Sequence, residues 1–346
     1  MVLLYVWPGD IRTTNNYSLY YYFNGILLLD FIFKIPLSFF YIVGLIFFSN
    51  NNRKTTGWIG LILSGGLSLT MLYGILFGRN DIEVNRIKLE YSTLPPQFNN
   101  FKIVHISDIH LGSFIHSKKL LQHVQKKIED INPDLVLFTG DLVNNFSDEL
   151  KGWDTIFNKI NSTGLSFSIL GNHDYGNYSN WKNESEKIEN FKNLVKSHGK
   201  FGFQILRNEN AVVYSGTDSI YIIGVENWGH PPFPQYAELE HALTGVPENV
   251  FKILLTHDPA HWESQIDGKK NIELTLSGHS HGLQLGIIKA GIPFSFSYLT
   301  RKNWGGLYKS NGNNLYVNTG LGTVGLPSRI DMPAEITVIT LKRTSK

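Results

Sequence analysis

The sequence predicts an α/β protein whose main domain is preceded by transmembrane helices. One observation is the distribution of charge, because residues 1–78 carry six of the sixty Asp, Glu, Lys and Arg side chains in the 346-residue chain. Another is the alternation, after residue 101, of short apolar runs with polar stretches that suit helices. The N-terminal part is therefore expected in lipid, and the remainder is expected to fold in water.

Two apolar runs near the N-terminus are predicted to be transmembrane helices. Residues 57–78 contain no charged side chain over 22 residues, which is long enough for a helix to cross the hydrocarbon core. Residues 23–48 form the other predicted span, although it contains Asp30, Lys34 and Pro36. Asp30 and Lys34 are one helical turn apart, so they can share a face and offset each other's burial.

The segments that flank these helices set the expected topology. Residues 1–22 are assigned to an N-terminal segment, because they lack the basic start of a cleavable signal peptide. The short loop 49–56 carries Arg53 and Lys54 without an acid, which favours a cytoplasmic loop and an extracytoplasmic main domain. Three basic residues just after the second helix favour the opposite orientation: Arg79, Arg86 and Lys88.

The soluble part is divided into residues 79–100, a linker with the first strand, and residues 101–346, the main domain. Residues 81–91 alternate apolar and polar side chains, as a half-buried strand does. Further strands are expected at 102–107, 134–140, 166–171, 219–225, 251–256, 272–278, 315–320 and 335–341, and helices at 117–131 and 147–161. This order predicts βαβ units early in the domain and a layered α/β architecture.

The composition excludes several classes of protein. The chain has no cysteine, which rules out a disulfide scaffold, a thiolate metal site and a thiol nucleophile. Any metal must be held by nitrogen and oxygen, a donor set that permits manganese, iron or zinc. The formal net charge of +2 argues against a general basic surface, so no nucleic-acid partner is expected.

Metal-ligating side chains recur where predicted strands end. The five segments are SDIH (107–110), GD (140–141), GNHD (171–174), THD (256–258) and GHSH (278–281). Open α/β sheets hold their ligands at this edge. Glycine comes directly before the ligand residue in three of the segments, which suits tight turns and close approach of the backbone.

The number of donors fits a site for two metal ions. Two ions bridged by a carboxylate need about seven or eight protein ligand atoms of nitrogen and oxygen type. The segments supply Asp108, His110, Asp141, Asn172, His257, His279 and His281. His173 is left over, which leaves one imidazole for catalysis.

These five motifs, in this order, resemble the signature of the calcineurin-like metallophosphoesterases: D-x-H, G-D, G-N-H-[DE], H and G-H-x-H. The resemblance covers about residues 98–345. It implies a four-layer α/β/β/α sandwich. Within the family, the segments GVENWG (224–229), LLTHDPAHW (254–262), GHSHGLQLG (278–286) and GLPSR (325–329) look like the membrane-associated branch named after the bacterial proteins YkuE and YaeI.

The resemblance also implies a role for each site residue. One metal ion would be bound by Asp108, His110 and His281, the other by Asn172, His257 and His279, with Asp141 bridging them. His173 would lie beside the substrate phosphate and protonate the leaving group. Two adjacent cations would clamp phosphoryl oxygens and generate a hydroxide nucleophile.

Substrate contacts are less well defined by the sequence. His230 lies in a loop expected to flank the metals, and Arg329 is a candidate clamp on phosphate oxygens because its planar fork suits bidentate binding. Residues 282–308 are unusually apolar and aromatic for a segment beside a metal site. They form either a strand pair on the core or a surface that faces the bilayer and admits a lipid chain.

The leading hypothesis is a multi-pass membrane phosphoesterase that hydrolyses a phosphodiester or pyrophosphate bond by metal-hydroxide attack, in a lipid or envelope precursor. Its expected cofactors are two divalent metal ions, and its expected partners are the membrane and a phosphorylated small-molecule or lipid substrate. One alternative is a nucleotide phosphodiesterase with the same site. The other is a non-catalytic binding scaffold. The sequence leaves the natural substrate and the oligomeric state open.

Overall fold

The computed structural model describes residues 14–114, 117–162, 164–229, 234–287, 294–299, 301–310 and 312–344. Two long helices, α1 (Thr14–Phe47) and α2 (Asn50–Leu76), precede the domain that carries the motifs. The stretches Leu19–Phe47 and Asn50–Asn80 are long and apolar enough to cross a membrane, by length and composition. Many of their large apolar side chains are exposed, including Ile26 and Leu69.

The two helices pack as an antiparallel hairpin through small residues. A side chain added at Gly60 would lie 2.9 Å from Cβ of Phe40, and Ser64 is fully buried. Small residues let two helix backbones approach closely, as is typical of helix pairs in membranes. Lys34 and Asp30 form the expected ion pair on one face of α1, with 2.7 Å between Nζ and Oδ2.

The helix ends differ from the sequence prediction. Helix α1 begins nine residues earlier than expected, at Thr14, and α2 begins at Asn50. The predicted loop 49–56 is therefore wrong, since only Phe48 and Ser49 separate the helices. The prediction used hydropathy, which marks where lipid could begin, whereas a helix can extend through polar residues such as those at 50–56.

The first of two six-stranded sheets has the order β1-β14-β2-β3-β4-β5. Its strands are β1 (Ile82–Tyr91), β2 (Lys102–Ile106), β3 (Leu135–Phe138), β4 (Leu165–Ser168), β5 (Gln204–Ile205) and β14 (Ala334–Arg343). Strands β2 to β5 are parallel, β14 runs antiparallel to β2, and β1 pairs in parallel with β14. The last strand of the chain thus joins the first strand of the domain to the rest of the sheet.

The second sheet has the order β12-β13-β9-β8-β7-β6. Its strands are β6 (Glu209–Ser215), β7 (Asp218–Gly224), β8 (Lys252–Leu255), β9 (Leu274–Ser277), β12 (Gly306–Ser310) and β13 (Asn313–Val317). Strands β7, β8, β9 and β13 are parallel, and the two outer strands are antiparallel. A separate two-stranded ribbon pairs β10 (Gly286–Ile287) with β11 (Phe294–Ser295).

The sheets face each other and are covered on their outer sides, which confirms the four-layer α/β/β/α sandwich. One core lies between the sheets and joins residues such as Leu137 of β3 and Leu255 of β8. A second core packs the first sheet against α3 (Lys119–Ile131), α4 (Asp154–Ile160) and α5 (Glu184–Lys200). A third lies on the second sheet beneath α6 (Leu239–Ala242) and Trp262.

Most of these elements were predictable from pattern. Each of the nine predicted strands overlaps an observed one, and the stretches 117–131 and 147–161 contain α3 and α4. Helix α3 forms because buried side chains recur at helical spacing, among them Leu121, Val124 and Ile128. Helix α5 was not predicted, and it begins where the Asn183 side chain accepts a hydrogen bond from the backbone N–H of Glu186, at 2.8 Å.

One loop of the domain, residues 323–330, contacts both helices of the hairpin. The Tyr21 hydroxyl of α1 lies 3.1 Å from the carbonyl oxygen of Leu326 and also contacts the Thr323 hydroxyl. The backbone of α2 contributes at Gly74, whose carbonyl accepts a hydrogen bond from the N–H of Arg329, at 3.3 Å. Both helices are thus fixed to the segment that follows β13.

Gly74→Leu should separate α2 from this loop. A side-chain atom added at Gly74 would lie 2.8 Å from Cγ1 of Ile330, so overpacking should cost about 1–3 kcal/mol of unfolding free energy. We expect the melting temperature of the detergent-solubilised protein to fall by several degrees. Gly66→Leu is the matched control on the same helix, because nothing lies within 4 Å of a side chain added there. Equal melting temperatures for the two variants would contradict the contact.

Candidate metal centre

The five motif segments meet at one edge of the sandwich. Each follows the carboxyl end of a strand: β2, β3 and β4 in the first sheet, β8 and β9 in the second. Parallel strands present their carboxyl ends at the same edge, so the loops converge although they are far apart in sequence. Asp108 and His279 lie 171 residues apart, yet the backbone N–H of His279 donates to the Asp108 carboxylate at 2.9 Å.

The loops that carry the candidate ligands are strained. Five of the seven have positive φ angles: Asp108 (50°), His110 (49°), Asp141 (57°), His279 (69°) and His281 (49°). This left-handed conformation costs an L-residue about 1–2 kcal/mol. Strain of this kind persists only where the surrounding structure imposes it, and it clusters at functional sites.

Glycines allow the loops to approach as closely as they do. A side chain added at Gly171 would lie 2.6 Å from the backbone nitrogen of Asp141, and one at Gly278 would lie 2.8 Å from Cβ of Ser107. Neither position has room for any other residue. These glycines therefore let the ligand loops approach one another closely.

The first group of ligand atoms comprises Asp108, His110 and His281, all of them buried. Nε2 of His110 lies 3.0 Å from Nε2 of His281, and the latter lies 3.2 Å from Oδ1 of Asp108. Adjacent ligands of one ion are separated by about 3 Å when each lies about 2.1 Å from the metal. The three side chains therefore have the spacing that a single divalent ion requires.

The second group comprises Asn172, His257 and His279. Oδ1 of Asn172 lies 3.1 Å from Nε2 of His257 and 2.7 Å from Nδ1 of His279. On its other side, the His257 ring contacts the Thr139 carbonyl through Nδ1, at 2.7 Å. Since a carbonyl can only accept, Nδ1 carries a proton and Nε2 is the nitrogen available to a metal.

Asp141 lies between the two groups. Its Oδ2 is 3.2 Å from Nε2 of His257 and 3.5 Å from Nε2 of His110. Asp108 lies nearer the first group, because its Oδ1 is 3.2 Å from Nε2 of His281 and 4.0 Å from Nε2 of His257. Asp141 therefore lies near an imidazole of each group.

The electrostatics of the site favour cations. Burial alone would raise the pKa of Asp141, yet the neighbouring charges of His257 and His173 hold it well below its usual value. Burial would lower the pKa of His257, but the Asp141 and Asp108 carboxylates raise it to about 10. Two carboxylates this deeply buried need compensating positive charge. The donors present, all nitrogen and oxygen, fit two divalent ions.

His173 is partly exposed, as the candidate ligands Asn172 and His279 also are. Its backbone N–H donates to Oδ1 of Asp141 at 2.8 Å, and its Nδ1 lies 2.7 Å from the carbonyl oxygen of Asn144. The ring stacks on Tyr178, with 4.5 Å between centroids, and meets the His110 ring edge-on at 4.9 Å. The imidazole is thus fixed at the mouth of the site.

Two buried carboxylates hold the ligand loops without belonging to either group. Asp174 accepts hydrogen bonds from the backbone N–H groups of Gly171 (2.8 Å) and Asp141 (2.9 Å). Glu149 does the same for Gly112 (2.8 Å) and Asn144 (2.7 Å), and burial raises its pKa. Sequence reasoning missed Glu149, because a lone acid in a stretch that suits a helix carries no signal.

The structure corrects the prediction for Arg329. Its side chain is 1% exposed and lies beneath the loop, so it cannot clamp a phosphate. Its guanidinium group donates to backbone carbonyls of Gly322, Met332, Pro333, Thr319 and Gly320. A planar fork of five N–H groups suits a cluster of carbonyls as well as a phosphate, so sequence could not separate the roles. The other predicted substrate contact, His230, lies outside the described residues.

Comparison with known proteins agrees with the geometry. The family model for the calcineurin-like phosphoesterase domain matches residues 101–283, which include every candidate ligand. The chain belongs to the calcineurin-like phosphoesterase family. This membership supports a metal-dependent phosphoesterase, and the family typically binds two metal ions. The sequence-based assignment to the family is therefore confirmed.

Two relatives match over most of the chain. The uncharacterized metallophosphoesterase YkuE of Bacillus subtilis is 30% identical over 301 residues, which cover 84% of this chain and 96% of that protein. A zebrafish (Danio rerio) transmembrane protein with a metallophosphoesterase domain is also 30% identical, over 85% of this chain and 64% of its own length. Together with the apolar helices α1 and α2, this similarity indicates association with a membrane.

His257→Gln should reduce the metal content. The substitution removes a nitrogen that lies near both Asn172 and Asp141, so we expect fewer than two ions per chain by elemental mass spectrometry. His261→Gln is the matched control: this buried histidine of the same loop contacts Thr256 and Gln265, and neither belongs to the two ligand groups. Retention of two ions by His257→Gln would rule out the ligand role.

Arg329→Lys should weaken both the fold and the site. A lysine cannot satisfy the clustered carbonyls, which should cost about 3 kcal/mol of unfolding free energy. The backbone N–H of Gly322 also donates to the carbonyl of Asp108 at 2.8 Å, so metal affinity should fall as well. The exposed Arg343→Lys serves as control. A melting temperature and metal affinity equal to those of the control would show that Arg329 does not support the site.

Proposed function

We propose that the protein is a membrane-anchored phosphoesterase with a dinuclear metal site, and that it hydrolyses a phosphodiester or pyrophosphate bond in a lipid or envelope precursor. The observation that carries this proposal is the position of Asp141 between two groups of imidazole, carboxylate and amide ligands, with His173 at the exposed mouth. In this proposal one ion is held by Asp108, His110 and His281, and the other by Asn172, His257 and His279.

The chemistry of the bound metals is general. Two divalent ions, whether manganese, iron or zinc, stabilise charge on phosphoryl oxygens and lower the pKa of water. The protein would supply the buried carboxylate of Asp141 between the two ions and the Nε2 atom of the buried His257 to one of them. These side chains orient the phosphate by fixing where its two negative oxygens can lie.

His173 is proposed to protonate the leaving group. Because Nδ1 donates its proton to the Asn144 carbonyl, the exchangeable proton of the imidazolium is the one at Nε2. Because the ring is partly exposed, a bound substrate could reach this nitrogen from solvent. Stacking on Tyr178 limits rotation of the ring and holds the proton in one direction.

The position of the two long helices supports the proposal that the substrate is itself bound to the membrane. The loop 323–330 contacts α1 and α2 on one side and continues from residues that contact Asp108 on the other. A phosphate at lipid headgroup depth would therefore lie close to the anchor and to the site. We further propose an extracytoplasmic catalytic domain, because Arg53 and Lys54 lie in the first turns of α2, beside the tight connection between the helices.

His173→Ala should abolish most catalysis without removing the metals. Loss of a general acid typically lowers the rate by about 10²–10⁴-fold, so turnover of bis-p-nitrophenyl phosphate should fall within that range. Metal content should stay at two ions per chain. His123→Ala, at an exposed position of α3, should leave both quantities unchanged. A metal-loaded wild-type protein with no turnover, matched by His173→Ala, would instead favour the non-catalytic scaffold.

The substrate class can be tested with the full chain in lipid. We expect phosphate or phosphomonoester release from lipid-linked diphosphates and phosphodiesters in a screen of lipid extracts, and slow turnover of cyclic and linear nucleotides. The reason is that the helices hold the site near the bilayer. Faster turnover of soluble nucleotides than of every lipid would contradict the proposal and favour a nucleotide phosphodiesterase.

A further inference from the structure

Large apolar side chains are exposed just beyond the metal ligand His281. We call these residues the apolar rim: Leu283, Ile287, Phe296, Tyr298 and Leu299. Their exposed fractions run from 47% for Leu283 to 74% for Leu299. Single exposed apolar residues are ordinary, but a group within a short stretch of chain marks a site of contact with lipid or protein.

The rim is tied to the metal centre at both of its ends. At one end, the Ser295 hydroxyl donates to the carbonyl of Gly282, the residue that follows His281. At the other end, Nη1 of Arg301 donates to Oδ1 of Asp258 at 2.9 Å, and Asp258 follows His257. The N–H of Arg301 also closes the turn onto the Ser297 carbonyl, at 2.8 Å. The rim therefore has a fixed position at the mouth of the site.

The backbone that presents Leu283 is strained. Gly282 and Leu283 have φ angles of 54° and 51°, and the latter is a conformation that a leucine rarely adopts. Because the Leu283 side chain is 47% exposed, packing in the core does not offset the energy of this strained backbone. The strain is understandable if Leu283 has a partner outside the protein.

The rim is continuous with the segment that contacts the membrane helices. Residues 284–286 run alongside Ile330, with backbone hydrogen bonds of 2.9 Å from Gly286 to Ile330 and from Ile330 to Gln284. The Gln284 side chain also donates to the carbonyl of Leu326, at 2.8 Å. The loop from 323 to 330 in turn contacts Tyr21 of α1 and Gly74 of α2. One segment thus separates the rim from the ends of both helices.

Basic side chains accompany the rim. Arg301 is partly exposed and Lys302 is exposed, and both follow the turn that carries Leu299. Apolar side chains flanked by Lys and Arg are typical of surfaces that enter the boundary between headgroups and acyl chains. The partner with this chemistry is a phospholipid bilayer that carries anionic headgroups.

We propose that the apolar rim inserts into the bilayer in which α1 and α2 lie, so that the mouth of the metal centre opens on the headgroup layer. This inference rests on the membrane anchoring of the proposed function. It adds that a lipid phosphate reaches His173 and the ligand groups along the membrane surface rather than from bulk water.

The test is the depth of single labels in liposomes. Because the chain has no cysteine, Leu299→Cys and Tyr298→Cys can each carry one bimane fluorophore in the full-length protein. The liposomes contain phosphatidylcholine and phosphatidylglycerol with brominated acyl chains. Leu69→Cys on α2 (68% exposed) is the positive control, and Tyr214→Cys on β6 (71% exposed) is the negative control.

We expect brominated lipid to quench the labels at 298 and 299 as strongly as the label at 69, and to leave the label at 214 bright. Quenching at 69 without quenching at 298 and 299 would overturn the rim proposal and leave the proposed function standing. Absence of quenching at all these positions would overturn the membrane anchor as well. Disulfide-linked dimers of the unlabelled Leu299→Cys variant, without quenching of the labelled one, would show that a second copy of the chain covers the rim, which also contradicts the proposal.

Discussion

The structure depends on positive charge that compensates the negative charges of two buried carboxylates. Asp108 and Asp141 lie at the edge where both sheets end, and each is at most 2% exposed. Negative charge at that depth is stable only beside positive charge, which the surrounding imidazoles and the metals they can bind supply. The strained loops, the glycines that let them meet and the hydrogen bonds to Asp174 and Glu149 all serve to hold these donors about 3 Å apart.

The same edge of the sandwich is where the domain meets its helices. Arg329 donates hydrogen bonds to backbone carbonyls of the loop after β13. The backbone of that loop is hydrogen-bonded to Asp108 on one side and to Gly74 on the other. The two long helices and the candidate site are therefore supported by the same loop. This arrangement explains why an arginine is fully buried in a loop, where its charge would otherwise be costly.

The sequence was sufficient for nine of the strands and for the proposal of a ligand set, and the physical reason is the same for both. Strands buried on both faces are apolar without interruption, and donors such as Asn172 and His279 stand where those runs stop. The sequence failed where a residue's role depends on its partners. The guanidinium group of Arg329 suits a phosphate as well as backbone carbonyls, so its role was predicted wrongly. Glu149 belongs to no sequence motif, so its role was missed. The length of α2 was set by backbone hydrogen bonds rather than by hydropathy.

In the proposed site, Asp141 lies between two metal ions and contacts both. Anomalous X-ray scattering from crystals of the metal-loaded protein, measured at the absorption edge of the metal that elemental analysis identifies, tests it most directly. The account predicts two peaks about 3.5–4 Å apart, one beside His110 and His281 and the other beside His257 and Asn172. A single peak, or a pair that Asp141 does not contact, would contradict it.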